Sequence, residues 1–309
     1  MTHLSTVYIR FSVCGLAVLQ RSLLLEKLLA RASQTVQIAD WRDDAFRGVE
    51  RAAPMPAIAA AALHAAGHTG AGCWACVATP IHVSAGMSSV SMPPDGILKL
   101  HADEADELAV DFNRVFEGAS MQMVVGRAAV LLCVFGCRLE VVTRDPEALV
   151  GQDVFGFQPA GTDGPRLRRL MSEIEMWLFE HPVNQARTAR AEKPITGLWL
   201  WGGGEVLATL PTFHGWTAGQ DPFFSAFGAE THFPNAGAAG VVVCARQPGS
   251  PEWSDVERHW LAPAAAALRS GSVERIDLSA SDRRFSVTKG IQLKFWRRPR
   301  PWWESYGIQ

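Results

Sequence analysis

Six polar side chains between residues 214 and 259 are of the types that bind metal ions or transfer protons. They are His214, Asp221, Glu230, His232, Asp255 and His259. Carboxylates and imidazoles are common metal ligands, but this spacing matches no metal-ligand motif, and the chain contains no Asp-His pair. The long segment 211–235 could still bring His214, Asp221 and His232 together in a loop-built ligand site, because long loops are often functional. The alternative is that these residues are ordinary polar surface.

A second group of candidates lies in and after a predicted long helix. Glu173 belongs to that helix, and His181, Asn184 and Arg187 follow it. One interpretation is a polar network that fixes the helix to the strand 199–201, because buried polar groups need hydrogen-bond partners. The other interpretation is a ligand pocket, which requires Glu173 and His181 to face each other.

Three glycines, Gly202, Gly203 and Gly204, follow a strand that carries Trp199 and Trp201. A glycine turn after a strand can hold a phosphate when a helix begins there. Here the following residues are typical of extended chain and include no Lys-Ser or Lys-Thr pair, so neither a Walker loop nor a dinucleotide motif is present. We expect a tight hinge at which two backbones approach closely. A ligand held by the glycine amides and lined by the two tryptophans is the alternative.

The cysteines give a weak metal or redox pattern. Cys73 and Cys76 fit C-x-x-C, and Cys133 and Cys137 could complete a four-thiolate zinc site. A redox C-x-x-C motif normally begins a helix, which lowers the thiol pKa, whereas this one begins a predicted strand. Reduced and buried thiols in a cytoplasmic protein are therefore expected, and the sequence predicts no cofactor and no metal site.

The tail segment 295–303, F-W-R-R-P-R-P-W-W, is basic and aromatic. Arginine and tryptophan can bind nucleic acids or anchor a protein interface, or the tryptophans can simply pack on the body of the protein. The formal net charge is −2, and no other region is strongly basic, which argues against nucleic-acid binding. The expected partner is a protein or a small ligand.

No apolar run reaches the roughly 18 to 20 residues that a bilayer-spanning helix needs, so no membrane association is expected. The stretch 11–19 is apolar, but Gln20 and Arg21 interrupt it and no signal-peptide cleavage site follows. We expect it to form part of a first buried strand, 8–19, in a cytoplasmic protein.

Predicted helices and strands are mixed along the whole chain. The clearest helices span 103–116 and 166–180. A chain of 309 residues with 48% hydrophobic content can bury a large core. The mixture predicts an α/β fold with a mixed sheet flanked by helices. Residues 1–309 are expected to form one unit or two lobes, 1–150 and 151–309.

The segment 173–204 carries the string E-x-E-M-W-L-F-E-H-P-V-N-x-x-R, followed by P-I-T-G-L-W-L-W-G-G-G. Three other stretches agree with it in character, namely Thr79–Val83, Asp111–Phe116 and Phe295–Pro301. Together these residues resemble the RpfE-type regulatory protein family of bacteria, over roughly residues 60–301. That family is named for a role in regulating pathogenicity factors and has no settled chemistry.

The same string is similar, more distantly, to archaeal-type cofactor-independent phosphoglycerate mutases of the alkaline-phosphatase superfamily. This resemblance implies a doubly wound α/β scaffold. Enzymes of that kind hold two divalent cations with Asp and His side chains and use a Ser nucleophile, and the loss of both cations should remove most of the phosphoryl-transfer rate. The predicted first strand contains no Asp. We therefore predict a regulatory or interaction protein without metal-dependent catalysis. The alternative is a phosphoglycerate-mutase-like phosphotransferase or hydrolase with a divergent site.

Overall fold

The structure is a computed structural model that describes residues 5–12, 20–50, 53–68, 73–86, 89–234, 239–244, 253–289 and 296–307. Its strands are β1 (Thr6–Phe11), β2 (Gln34–Gln37), β3 (Trp74–Ile81), β4 (Ser84–Ala85), β5 (Val90–Ser91), β6 (Met121–Val125), β7 (Leu131–Phe135), β8 (Gly197–Glu205), β9 (Trp216–Gly219), β10 (Gly240–Cys244), β11 (Arg275–Ala280) and β12 (Arg283–Thr288). Its α-helices are α1 (Leu23–Ala30), α2 (Trp41–Val49), α3 (Ile58–Ala65), α4 (Ala102–Val115), α5 (Gly164–Phe179), α6 (Pro182–Ala189), α7 (Trp253–Val256), α8 (Ala262–Ser270) and α9 (Trp302–Tyr306). Short 3-10 turns lie at Arg127–Ala129, Pro146–Leu149, Val154–Phe157 and Phe224–Ala226, and a π-helical turn at Glu257–Leu261. The predicted α/β class with a mixed sheet flanked by helices is confirmed.

The chain divides into two compact units. The first unit contains residues 1–55 and 211–309, and the second contains residues 56–210. The division therefore falls at two places in the chain, 55–56 and 210–211, and not near residue 150. The reason is that the second unit is inserted into the first, between α2 and β9.

The first unit is built on a six-stranded sheet in the order β2-β12-β11-β1-β10-β9. Strand β1 runs parallel to β10 and β11, and β10 runs parallel to β9, whereas β12 is antiparallel to both of its neighbours. The predicted strand 8–19 begins two residues earlier, at Thr6, and its second part, 13–19, lies outside the described residues. Because strand side chains alternate between the two faces, Val7, Ile9 and Phe11 all enter one apolar core. Helices α1, α8 and α9 supply the other side of that core.

The second unit is built on an antiparallel sheet in the order β6-β7-β3-β8. Three buried tryptophans belong to its core, Trp74 of β3 and Trp199 and Trp201 of β8. Helix α4 packs on β6, and α5 packs on β8. The two helices also meet each other, where Trp177 of α5 lies edge-to-face on Phe112 of α4, with ring centroids 5.8 Å apart. A separate two-stranded ribbon pairs β4 with β5.

Helix α4 forms where the sequence predicts a helix over residues 103–116. The backbone N–H of His101 donates to Glu104 Oε2 over 3.0 Å, so the glutamate satisfies a donor at the helix start. Leu108 and Phe112, four residues apart, point into the core. The predicted helix 166–180 is also present as α5, entered through Pro165.

Gly126 and Arg127 between two apolar strands are typical of a tight turn with the glycine at positive φ, but the turn between β6 and β7 differs. The chain makes a 3-10 turn in which Ala128 and Ala129 adopt positive φ values of 54° and 60°. Gly126 has an extended backbone instead, and its N–H donates to Val130 O over 2.7 Å. The glycine is therefore not the residue that reverses the chain.

The helical segment that begins at Trp253 is not regular: it runs as α7, the π-helical turn and α8, and Pro263 is the second residue of α8. Proline has no N–H, and its ring crowds the carbonyl group four residues earlier, which here belongs to His259. That carbonyl accepts from Phe233 N over 3.2 Å instead. The proline thus explains where the regular helix is broken. Within the described ranges, no helix is both long enough and apolar enough to cross a bilayer.

Candidate functional site

Asn184 and Arg187 form a buried hydrogen-bond network within the second unit. Asn184 donates to Leu178 O and to Ile195 O, each over 2.8 Å, and its Oδ1 accepts from Ile195 N over 2.7 Å. Arg187 donates to Glu104 Oε2 over 2.7 Å and to the backbone carbonyl of Lys193 over 2.8 Å. These contacts connect α6 to the end of α5, to α4 and to the segment that leads into β8.

His181 and Glu173 are not brought together. His181 is buried, caps α6 by accepting from Val183 N over 3.2 Å, and places Nε2 3.5 Å from Asp111 Oδ2. Burial lowers the pKa of His181, although Asp111 works in the opposite direction. Glu173 is half-buried and accepts from Arg169 Nε over 3.0 Å on its own helix. A pocket with these two side chains facing each other is therefore not formed.

The two tryptophans of β8 are satisfied by protein groups. Trp199 Nε1 donates to Arg144 O over 2.8 Å, and Trp201 Nε1 donates to Thr79 Oγ1 over 2.7 Å. Both rings are buried. They belong to the core of the second unit.

The three glycines lie within β8 and form a β-bulge against β3. Ala75 pairs with Gly204 and Val77 pairs with Trp201, so Gly202 and Gly203 stand opposite the single residue Cys76. Gly202 adopts a φ of +63°, which favours glycine. A Cβ on Gly203 would lie 2.3 Å from two ring carbons of Trp74, and one on Gly204 would lie 2.4 Å from the Cβ of Ala57. The close approach expected at these glycines is present, within a strand and not at a hinge.

The six polar candidates of the first unit do not converge on one point. His214 is 70% exposed, and its Nδ1 lies 2.6 Å from Glu50 Oε2. His232 and His259 lie next to each other, with ring centroids 4.6 Å apart. Asp221 instead forms a buried ion pair with Arg42, whose Nη2 lies 2.9 Å from Asp221 Oδ2.

The cysteines of the described residues are all unpaired thiols. Cys76 and Cys133 are buried and lie opposite each other in the β3–β7 pair. Cys137 is exposed and accepts from Arg166 Nη1 over 3.3 Å, and Cys73 is only partly buried. Cys76 and Cys133 thus share one buried environment, whereas Cys73 and Cys137 have two others, and this arrangement does not match a zinc cluster.

Only one group of three possible metal ligands occurs in the described part of the chain: His101, Glu104 and Glu192, in the second unit. Arg187 and Arg190 both form ion pairs with Glu104 and with Glu192. Two guanidinium groups already neutralise these carboxylates and would repel a cation. The residues do not fit a divalent metal ion, and still less the pair of ions that the mutase resemblance implies.

The most unusual chemistry of the first unit lies on the second face of its six-stranded sheet, beneath α2. We call this set the arginine layer. It consists of Tyr8, Arg10, Trp41, Arg42, Asp44, Asp221, Arg275, Asp277, Ser279, Arg284 and Ser286. Four arginines face three carboxylates within it, and most of these side chains are buried. When polar and apolar residues alternate along a strand, the polar face of the sheet is ordinarily exposed to water. Here the polar face is buried, so its side chains need partners or a function.

Strand register places the central residues of the layer in two rows. The first row runs Tyr8, Asp277, Ser286 across β1, β11 and β12, and the second runs Arg10, Ser279, Arg284 across the same strands. The second row lies nearer to the carboxyl ends of the parallel strands β1 and β11. Ligands of open α/β sheets bind at that edge.

Arg10 and Arg42 both contact the ring of Trp41. Their guanidinium carbons lie 5.0 Å and 4.3 Å from its centroid, which are cation–π distances. Arg10 also donates to Ser279 Oγ over 3.3 Å and to Ser281 O over 2.7 Å. The indole thus holds two buried guanidinium groups in a fixed arrangement.

Asp277 is fully buried on the first row. Its Oδ1 accepts from Ser286 Oγ over 2.6 Å, and Arg275 Nε lies 3.0 Å from Oδ2 without hydrogen-bond geometry. Burial raises the pKa of Asp277, and this effect outweighs the attraction of Arg275. Arg284 of the second row is paired with Asp44 of α2.

Several buried polar atoms of the layer lack hydrogen-bond partners among the described residues, namely Tyr8 Oη, Trp41 Nε1, Asp44 Oδ2 and Asp277 Oδ2. Tyr8 Oη lies near Ser279, but without hydrogen-bond geometry, and burial raises the pKa of Tyr8. Unsatisfied buried groups are costly and often mark a ligand site. With an excess of guanidinium over carboxylate, this layer is suited to bind a small anion such as a phosphate group.

Sequence reasoning missed the arginine layer. Its signal is the alternation in β1, where Thr6, Tyr8 and Arg10 interleave with Val7, Ile9 and Phe11, and the same pattern recurs in β11. Alternation predicts a half-buried strand but not that the polar face is covered as well. No spacing in the sequence indicates that α2 covers these rows.

No family model matches the chain. Over 78 residues the chain is 31% identical to a probable 2,3-bisphosphoglycerate-independent phosphoglycerate mutase of Geobacter sulfurreducens. The matched stretch is 25% of this chain and 19% of that protein. Over 107 residues it is 26% identical to a protein of the same activity from Methanosarcina mazei, which covers 34% of this chain and 27% of the relative. The chain thus spans about a fifth to a quarter of the length of these relatives.

Among solved structures, the chain is similar to the cofactor-independent phosphoglycerate mutase of Thermoplasma acidophilum. The sequence identity is 15%, the coverage is 93% of this chain and 90% of that chain, and the TM-score is 0.38. The distant similarity to phosphoglycerate mutases that the sequence indicates is supported by the curated relatives, whereas the resemblance to the RpfE-type family stays a prediction. The prediction of a non-catalytic regulatory or interaction protein is wrong, because the relatives found are phosphoglycerate mutases. The findings favour the alternative, a phosphoglycerate-mutase-like phosphotransferase or hydrolase with a divergent site.

Proposed function

We propose that this chain is a phosphoglycerate-mutase-like enzyme, a phosphotransferase or hydrolase that acts on a small phosphorylated acid at the arginine layer. The observation that carries the proposal is the second row of that layer, in which Arg10, Ser279 and Arg284 lie side by side near the carboxyl ends of parallel strands. The names of the curated relatives support the substrate class, since both are phosphoglycerate mutases.

In this proposal the guanidinium groups bind the phosphate oxygens. Arg10 is held by Trp41 and by Ser281 O, and a donor fixed in advance stabilises developing charge more effectively than a mobile one. Arg284 is held by Asp44 and supplies a second guanidinium in the same row. Asp277, whose pKa is raised by burial, is placed to keep a proton in the adjacent row.

The proposal includes no step through a metal ion. A pair of divalent cations would supply charge stabilisation in enzymes of the resembled kind. In the described residues, the carboxylates of this layer are opposed by arginines, and the group around Glu104 is neutralised by two more. The divergent site therefore depends on arginine in place of metal.

The test is an assay of the purified chain, residues 1–309, with 3-phosphoglycerate for mutase activity and with p-nitrophenyl phosphate for hydrolysis, each with and without manganese. We expect turnover of at least one substrate that persists in the presence of a chelator. Arg10→Gln should lower kcat/KM by about 100-fold or more, the usual loss when one charge-stabilising donor is removed. Arg284→Gln, which changes a less buried side chain, serves as the second variant if Arg10→Gln does not fold.

Arg298→Gln is the matched control, because Arg298 is exposed. It should leave kcat/KM unchanged. The absence of turnover on both substrates in well-folded protein would refute the proposal. So would activity that is unaffected by both layer variants, because the reaction would then take place elsewhere.

A further inference from the structure

A groove in the second unit lies between the start of α5 and the neighbouring ends of β6 and β7. Its volume is about 260 Å³. Its floor is apolar and is formed by Met121, Phe135, Leu139, Leu167 and Leu170. All of these except Met121 are buried, so the floor is part of the core. None of these residues belongs to the arginine layer.

The rim of the groove is charged. Arg166 and Arg169 project from the first turns of α5, and Glu173 follows one turn later. Glu173 accepts from Arg169 Nε over 3.0 Å, so these two charges oppose each other. Among the described residues, Arg166 donates from Nη1 to Cys137 Sγ over 3.3 Å, and sulfur is a weak hydrogen-bond acceptor. The rim therefore carries an excess positive charge at Arg166.

We propose that this groove binds an unbranched aliphatic monocarboxylate, with the tail on the apolar floor and the carboxylate on Arg166. The planar guanidinium group matches a carboxylate in a two-pronged hydrogen bond. A neutral apolar ligand would leave the charged rim unused, and a fully polar anion would leave the floor unused. An amphipathic carboxylate satisfies both parts of the groove.

The size of the groove sets the length of the tail. A volume of 260 Å³ holds about eight or nine groups of the size of a water molecule, each of which takes about 30 Å³. A chain of about six to eight carbons fills this space when its head group remains at the rim. Each methylene group placed on the floor should tighten binding about twofold, half the free energy of a fully buried methylene, because the floor covers only one side of the tail.

The test is isothermal titration of the full chain with octanoate, hexanoate, butanoate and 1-octanol. We expect affinity to rise about twofold per methylene from butanoate to octanoate, and 1-octanol to bind at least tenfold more weakly than octanoate. Arg166→Gln should weaken octanoate binding about tenfold. Glu173→Gln should strengthen it about threefold, since a carboxylate is removed from the rim.

Arg144→Gln is the control, because Arg144 is an exposed arginine of the same unit whose side chain does not line the groove. It should leave octanoate affinity unchanged. Ala119→Trp places a large ring in the groove and should abolish binding while the circular dichroism spectrum is retained. Equal affinities for octanoate and 1-octanol, or no effect of Arg166→Gln, would overturn the proposal. An absence of heat with octanoate at two temperatures about 20 °C apart would overturn it as well, because burial of the tail changes the heat capacity and cannot be without heat at both. It does not rest on the proposed enzymatic function.

Discussion

Gly203 is the position at which a single added methyl group tests the packing of the second unit most directly. In Gly203→Ala the new Cβ would lie 2.3 Å from Cη2 and Cζ2 of Trp74 and 3.1 Å from the carbonyl oxygen of Ala75. The indole would have to retreat by about 1.2 Å, because carbon atoms in contact lie about 3.5–4.0 Å apart. Trp74 is buried and packs edge-to-face on Phe135 at 5.5 Å, so it has little room to move.

The expected cost is about 2 kcal/mol of unfolding free energy, in the range of about 1 to 3 kcal/mol for overpacking of a core. Gly203→Val should cost more, since it adds two further methyl groups at the same contact. For a unit of about this size, 2 kcal/mol corresponds to a fall in Tm of about 4 to 8 °C. Backbone strain contributes little, because Gly203 does not have a positive φ.

The measurement is thermal and urea unfolding of the full chain, followed by circular dichroism. Gly156→Ala is the matched control in the same unit, since no atom lies within 4 Å of the added Cβ and its φ is not positive. It should change stability by less than about 0.5 kcal/mol. A double-mutant cycle with Trp74→Leu isolates the contact, and the cost of Gly203→Ala should fall by at least about 1 kcal/mol in that background.

Two results would refute this reasoning. One is an unchanged Tm in Gly203→Ala. The other is an equal cost with and without the Trp74 ring, which would mean that the penalty arises from the strand pairing and not from the indole.

Three further predictions concern individual side chains. His181→Asn keeps a capping side chain but removes the titrating ring. Burial lowers the pKa of His181 below its usual value of 6.5, so the unfolded chain binds a proton more readily than the folded chain. In urea unfolding, the stability of the parent should therefore fall as the pH drops below about 6.5, and the stability of the variant should fall less. Asn184→Ala leaves the buried N–H and C=O of Ile195 without their Asn184 partners and removes one of the bonds to Leu178 O, which His181 N still donates to. It should lower the unfolding free energy by about 2 kcal/mol in the same urea titration, whereas a change below about 0.5 kcal/mol would contradict the network. In a chain that carries Cys14→Ser, Cys137→Ser should remove the fastest-reacting thiol in a native-state titration with a disulfide reagent, because Cys137 is the exposed cysteine among those that the structure describes. Persistence of the fast phase in that variant would count against the exposure assigned to Cys137.

The glycine string shows what local sequence can and cannot indicate. Three consecutive glycines after a strand of large residues correctly indicate a place where neighbouring atoms approach closely. They do not indicate that the strand continues through them, because the bulge depends on β3, whose residues lie more than a hundred positions earlier. The partner strand decides whether a glycine run forms a hinge or a bulge.

The candidate site residues also differ in how far local sequence indicates their contacts. Asn184 and Arg187 are recognisable from sequence as polar groups that need partners, and part of the network is local, since Asn184 bonds to Leu178 and Ile195. Glu173 and His181 cannot be paired by spacing alone, because the rotation of α5 turns Glu173 towards Arg169 while His181 begins the next helix. A spacing of eight residues does not determine which face a side chain occupies after a helix ends.

The sequence by itself determined the α/β class, the two long helices α4 and α5, and the alternation of β1. These features depend on periodicity and on end signals within a few residues, which short-range physics controls. Only the tertiary structure decided that the polar face of β1 is buried beneath α2, and that Arg42 meets Asp221 from 179 residues away. The physical reason is that burial and ion pairing depend on which distant elements cover a face, and no local pattern encodes that choice.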